Sequence, residues 1–142
     1  MIKYVSWDPG KTTGVTCWSA EGQALNIKDL VGDEVLDGFL DSLEGEEIEA
    51  FIIEEYRIYG SKAVAHVGSR VETAQVIGNL KAWARRRNIK IVEQRSDIKP
   101  IAAKWSQVKV PKGHMPDWMA AYLHGYYYLH NKGIIRAKVL DS

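Results

Sequence analysis

The order of segments predicts an α/β fold built on a mixed five-stranded sheet: three antiparallel N-terminal strands, then parallel ones, with helices on the flanks. Three features of the chain predict it. β-Branched and aromatic residues fill most of residues 1–31, broken only by turn residues. Beyond residue 33 the apolar residues fall at helical spacing, and helical segments then alternate with short continuous apolar runs. The first and fourth of the strand candidates each end in an acid.

The elements follow in order. Ile2 to Trp7 reads as a strand that ends at Asp8; Pro9-Gly10 forces a turn, and Thr13 to Trp18 resumes strand composition. The first three strands fall near 1–8, 13–20 and 23–31, with Glu21-Gly22 turning the chain before the third. Val35, Leu36, Phe39, Leu40 and Leu43 recur at helical spacing and predict a helix over 34–43. Ala50 to Ile53 is a short apolar run, as in a strand buried on both faces, and it closes on Glu54-Glu55. A long helix from about Val64 or Thr73 to Arg87 follows, its stripe being Val76, Ile77, Leu80, Trp83 and Ala84. Gly78 within it suggests close packing or the approach of a partner helix. Lys90 to Gln94 is the fifth strand, and a short helix over 98–105 comes next, with Asp97 as its cap. A basic loop at 107–113 leads to a last helix over 116–131, with Pro116 at the first helical position, Asp117 in the first turn and Gly133 as the stop.

At 142 residues the chain is expected to form one domain, 1–142, with a core of its own. No apolar h-region precedes the first strand and no run of about 18 apolar residues occurs, so neither a leader nor a membrane span is expected. The one cysteine, Cys17, excludes an intramolecular disulfide and fits a reducing, cytoplasmic compartment; within the second strand it reads as a packed apolar residue. The formal charge of +1 hides an asymmetry. Residues 1–71 hold 6 Lys and Arg against 13 acids, a net of −7; residues 72–142 hold 13 against 5, a net of +8. A basic half is the footprint of phosphate binding.

The residues with chemistry in them are Asp8 and Glu54 at strand ends and His114 and Asp117 at the mouth of the last helix. Glu55 follows Glu54, and strand alternation sends the two side chains to opposite sides. Asp8-Pro9-Gly10 with Thr13-Gly14, then Ile53-Glu54-Glu55, then His114-x-x-Asp117 before Met119-Ala120-Ala121, resembles the motif series of the RuvC-type Holliday junction resolvases. These are a branch of the RNase H-like nuclease superfamily, and the resemblance spans nearly the whole chain in order and spacing. It implies the RNase H-like fold, with the first and fourth strands adjacent, and favours Glu54 over Glu55. It implies Asp8, Glu54, His114 and Asp117 as the catalytic, metal-binding set. In-line hydrolysis of a phosphodiester is served by two hard divalent cations, Mg²⁺ or Mn²⁺, roughly 3.5–4 Å apart. Asp8 is then the bridging carboxylate, Glu54 and Asp117 each favour one metal, and His114 completes a site or orients water.

The same resemblance implies branched DNA, a four-way junction above all, as substrate, and a homodimer whose two sites match the symmetry of the junction. The long helix with Gly78 and Trp83 is a candidate dimer face, or its stripe is spent on the sheet. Tyr56, Arg57 and Tyr59 leave the fourth strand where related resolvases contact unpaired bases, and either tyrosine stacks or packs. Residues 60–70, with Lys62, read as a loop or the start of a helix touching DNA; His66 reads as a surface histidine. Arg85, Arg86 and Arg87 form a phosphate-binding cluster or a solvated helix face. Lys11 in the first turn reaches phosphate. Of Lys99, Lys104, Lys109 and Lys112, the last two are preferred as partners of the scissile phosphate for their proximity to His114. His124 and His130 carry no signal. The compact length and acidic first half suit a phage-type member with a substrate range that includes flaps and forks. The rivals are a nuclease for RNA/DNA hybrids and a catalytically silent junction-binding module. Actin-like ATPases and sugar kinases share an Asp-x-Gly-x-Thr turn but need a second lobe that 142 residues do not supply.

Overall fold

The computed structural model describes residues 1–56 and 67–137, with only the backbone for 67–70. Strands β1 (Tyr4–Asp8), β2 (Thr12–Trp18) and β3 (Ala24–Val31) form an antiparallel meander. Helix α1 (Asp33–Ser42) leads to β4 (Ala50–Glu54), helix α2 (Val67–Arg86) to β5 (Lys90–Gln94), and a 3₁₀ turn (Ser96–Ile98) runs into α3 (Lys99–Ser106). Helix α4 (Asp117–Asn131) follows the basic loop. The sheet order is β3-β2-β1-β4-β5, with β4 parallel to both β1 and β5, as the sequence predicts. Residues Arg57, Tyr59, Lys62 and His66 lie outside the described residues.

Strand alternation divides the core into two layers. Val5, Trp7, Val15, Cys17, Phe51 and Ile53 face α1 and α2, where Leu36, Phe39, Leu40, Val76, Leu80 and Trp83 meet them. Phe51 stacks on Trp83 with ring centres 5.7 Å apart, and Trp7 meets Phe39 edge-on at 5.9 Å. The stripe of α2 is therefore spent on the sheet, and Trp83 is not available to a second subunit. Gly78 is exposed, and a Cβ built there would meet nothing, so it does not mark a close approach within the chain. Burial holds the Cys17 thiol up at about 12, an inert packed group.

The opposite layer holds Tyr4, Ala50, Ile52 and Trp18 against Tyr126 and Leu129 of α4. Here the packing is unusually close. Gly125 of α4 sits on Trp18 and Ser6; an added Cβ would overlap the indole and come within 2.6 Å of Ser6 Oγ. Beneath it the Trp18 Nε1–H donates to Ser6 Oγ at 3.0 Å, so the polar groups under the helix are paired. Gly14 of β2 performs the same service at the other end: a Cβ there would run into the Asp117 carbonyl group. Two side-chain-free contacts thus set the height of α4 above the sheet.

Two local expectations are corrected. Pro116 is the residue before α4, extended at ψ 145°, and Asp117 is the first helical position. Proline fixes φ near its observed −58° in either setting, so the sequence signal was right about the helix start and off by one residue. Asp97 caps nothing; it pairs with Arg95 at 2.9 Å, and neither the 3₁₀ turn nor α3 has a side-chain cap. The last helix ends as expected, with Gly133 at φ +81° just past the cap. Among the described residues no helix is long and apolar enough to cross a membrane.

Gly125→Ala is expected to destabilise the protein by about 1–3 kcal/mol through overpacking against Trp18. A denaturant titration would show it as a lower midpoint at unchanged slope.

Candidate active site

Parallel pairing of β1 with β4 sets Trp7 beside Ile53, so the next residues, Asp8 and Glu54, emerge side by side at the strand ends. Asp8 continues the Tyr4-Ser6 face and Glu54 the Ala50-Ile52 face, both turned toward α4. Glu55 takes the other side. Helix α4 begins over the same place, because Gly14, the cross-strand partner of Asp8, admits the Asp117 backbone. Asp8 lies against both Glu54 and Asp117, close enough for each to act on its charge. His114 is exposed just upstream, close enough for its charge to act on Asp117.

The electrostatics follow from crowding. Burial, the hydrogen bond to Glu54 and the charges of Glu54 and Asp117 push Asp8 up to about 9. Burial also works against ionised Glu54, but the neighbouring His124 ring, the Asp8 carboxyl and the ammonium of Lys99 outweigh it and hold Glu54 below the usual carboxylate range. The two carboxylates titrate as one coupled pair, with Asp8 pushed up and Glu54 held down. Asp117 is also raised, by burial and then by the charge of Asp29, while Asp8 and His114 oppose the shift. Asp29 lies opposite Gly14 on β3 and thus extends the row from Asp8 across the sheet.

Two residues that sequence reasoning passed over touch this cluster. Lys99 Nζ lies 2.7 Å from Glu54 Oε1, so the lysine that reaches the carboxylates is Lys99 rather than Lys109 or Lys112, which are exposed on the basic loop. His124, fully buried on α4, places Nε2 at 3.2 Å from the same oxygen, and its other ring nitrogen meets Gln94 at 3.0 Å. A signal existed for His124: seven residues after Asp117, it shares the helix face that looks at the sheet.

The other expected contacts are spread out. Lys11 is exposed in the β1–β2 turn at the carboxylate end, and Tyr56 is exposed just beyond β4. Arg87 is committed inside the protein: its guanidinium lies 3.7 Å over Trp83, donates to the Trp83 carbonyl at 3.0 Å and pairs with Glu44. Arg85 and Arg86 are exposed, but α2 carries them to the wrong end. The helix leaves β4 beyond Glu54 and returns the chain at Lys90, which pairs with Ala50 at the far end of β4. The arginine cluster therefore does not flank the carboxylates. A groove of about 380 Å³ beside the first turn, lined by Lys11, Asp33, Glu72 and Gln75 among others, lies on the α1–α2 layer and includes none of Asp8, Glu54 and Asp117.

The donor set fits a hard divalent cation. It offers carboxylate oxygens, their crowding raises Asp8, and Oε1 of Glu54 is buried without a well-aligned hydrogen bond. Among the described residues no three His, Cys, Asp or Glu side chains stand close enough to enclose one ion by themselves. Oxygens from water and substrate would have to complete any shell.

No family model matches the sequence, and no curated protein shows significant sequence similarity to it. Solved structures do match. T. thermophilus RuvC, in complex with a Holliday junction substrate, superposes with a TM-score of 0.66 over 96% of this chain and 99% of that one, at 12% identity. The fold is RuvC-like. Fowlpox virus resolvase, in complex with its substrate Holliday junction DNA, superposes with a TM-score of 0.60 over 90% of this chain and 99% of that one, at 11% identity. The RuvC-like fold thus accounts for the chain from β1 to α4, as the motif order implied.

The raised Asp8 gives a stability prediction. A group raised on folding stabilises the native state fully below its unfolded value and loses that contribution as pH rises toward its folded value, here about 9. Metal-free protein should therefore lose stability between pH 5 and pH 8 on the order of a few degrees in Tm. Asp8→Asn should flatten that dependence; thermal melts across the range in chelator read it directly. Glu54 acts in the opposite sense only below its ordinary range, outside this window.

Proposed function

We propose that this protein is a metal-dependent, structure-selective DNA endonuclease that hydrolyses phosphodiesters in four-way junctions and related branched DNA. The observation that carries this reading is the convergence of Asp8, Glu54 and Asp117, from three separate elements, beside Lys99 at one end of a RuvC-like sheet. Mg²⁺ or Mn²⁺, when bound, supplies Lewis acidity toward the phosphate and lowers the pKa of the attacking water. Asp8, Glu54 and Asp117 are the residues that would hold the metal, with water and substrate oxygens completing its shell. The crowding that raises Asp8 is what an incoming positive charge would relieve.

The remaining residues act on the substrate. Lys99, fixed by Glu54, presents an ammonium where the scissile phosphate would sit and offsets charge that develops on its oxygens. His114, exposed and next to Asp117, is placed to exchange a proton with solvent or to orient the water. Lys11, Tyr56, Lys109 and Lys112 are exposed and free to meet backbone phosphates or an unpaired base. A homodimer fits a substrate with two equivalent strands to cut.

Asp8→Asn, Glu54→Gln and Asp117→Asn are each expected to abolish cleavage of an immobile four-way junction while leaving binding in Ca²⁺ within a few-fold. Matched duplex, flap, fork and RNA/DNA hybrid run alongside would show the substrate range. Full activity in any of the three variants would overturn the assignment. Lys99→Gln should slow cleavage by about 10²–10³-fold with little change in binding, whereas Lys109→Gln and Lys112→Gln should weaken binding and reduce its salt dependence.

A further inference from the structure

We infer that His124 and Gln94 form a buried neutral clamp that positions Glu54 for cation binding, an inference that rests on the metal-dependent reading above. The tautomer of His124 can be deduced from its neighbours. Gln94 Nε2 lies 2.9 Å from the main-chain carbonyl of His124, a group that only accepts, so the nitrogen end of the Gln94 amide must face it. The same nitrogen lies 3.0 Å from His124 Nδ1. An amide nitrogen has no lone pair to offer, so Nδ1 must accept the second N–H and the ring proton must sit on Nε2. Nε2 faces Glu54 Oε1 at 3.2 Å. The ring is fully buried, and at present neither Nε2 nor Oε1 makes a well-aligned hydrogen bond to any partner, so the contact is poised rather than closed.

The arrangement has a chemical purpose that a charged partner would not serve. A neutral N–H donor orients one oxygen of Glu54 and leaves its negative charge for a cation. Lys99, on the same oxygen, supplies charge but not a fixed direction, since its ammonium rotates freely about a flexible stem. Gln94 ends β5 directly beside Glu54 in the register of the sheet, so the clamp is tied to two strands and one helix at once. It needs no change of protonation to act. His124 is on this account a positioning residue, reaching the reaction through Glu54.

The test compares His124→Leu, which removes the donor, with His124→Gln, whose amide can restore one, and with Gln94→Met, which frees the tautomer. Mn²⁺ binding to the protein alone, followed by electron paramagnetic resonance, should weaken by about 10–100-fold in His124→Leu and recover in His124→Gln. Cleavage should fall in kcat with KM for the junction unchanged. Nitrogen-resolved NMR of the wild type should show His124 protonated at Nε2, and Gln94→Met should shift it toward the Nδ1 form. A ring protonated at Nδ1 in the wild type, or wild-type Mn²⁺ affinity in a folded His124→Leu, overturns the clamp. Wild-type protein that binds Mn²⁺ with the expected tautomer but cuts no branched DNA would overturn the nuclease reading while supporting the clamp.

Discussion

Parallel pairing of β1 with β4 is the constraint on which the site depends. Two strands that run the same way end on the same side, so the side chains that terminate them can meet only there. A parallel connection needs a crossover, and α1 supplies it along the layer that also receives α2. Had β4 paired in the opposite sense, Glu54 would lie at the far end of β1, beside Tyr4 rather than Asp8. The pairing also imposes the layer rule: because β1 and β4 are in register, the same alternation that buries Trp7 and Ile53 against α1 and α2 turns Asp8 and Glu54 toward α4. One register shift would put the acids on opposite faces.

What the strands begin, the height of α4 completes. A carboxylate at a helix start can join two at strand ends only if the helix comes down close, and side chains normally stand between a helix and a sheet. Gly14 and Gly125 remove the spacers at two points, and Trp18 bonded to Ser6 provides a flat, satisfied surface for the helix to rest on. The close approach has an electrostatic cost. Three carboxylates, with Asp29 beyond them, are brought near one another with Lys99 in contact, and the response is an Asp8 carboxyl pushed up to about 9. Local stability and the capacity to hold a cation are here two aspects of one charge imbalance.

The positive charge of the second half is distributed differently from what a linear count suggests. Arg87 is spent on Trp83 and Glu44, and Lys132 on Glu49. Arg85 and Arg86 are carried to the opposite end of the sheet by the length of α2. Among the described residues the lysine in contact with the carboxylates is Lys99.

The sequence by itself determined the elements, their order and the acids that end β1 and β4. These are local properties: β-branched composition, turn residues, helical spacing and period-two alternation are read within a few residues of the site concerned. It also singled out Asp117, because a proline and an acid mark a helix start. Only the tertiary structure decided which partners those acids have. Lys99 ranked behind Lys109 and Lys112 in the sequence, and only the fold sets it against Glu54; Gln94 likewise meets His124 across 30 positions of chain. A histidine on a buried helix face looks in sequence like any core residue. Its partner is set by how far a helix descends onto a sheet, and that distance was fixed here by two glycines whose neighbours in space are not their neighbours in the chain.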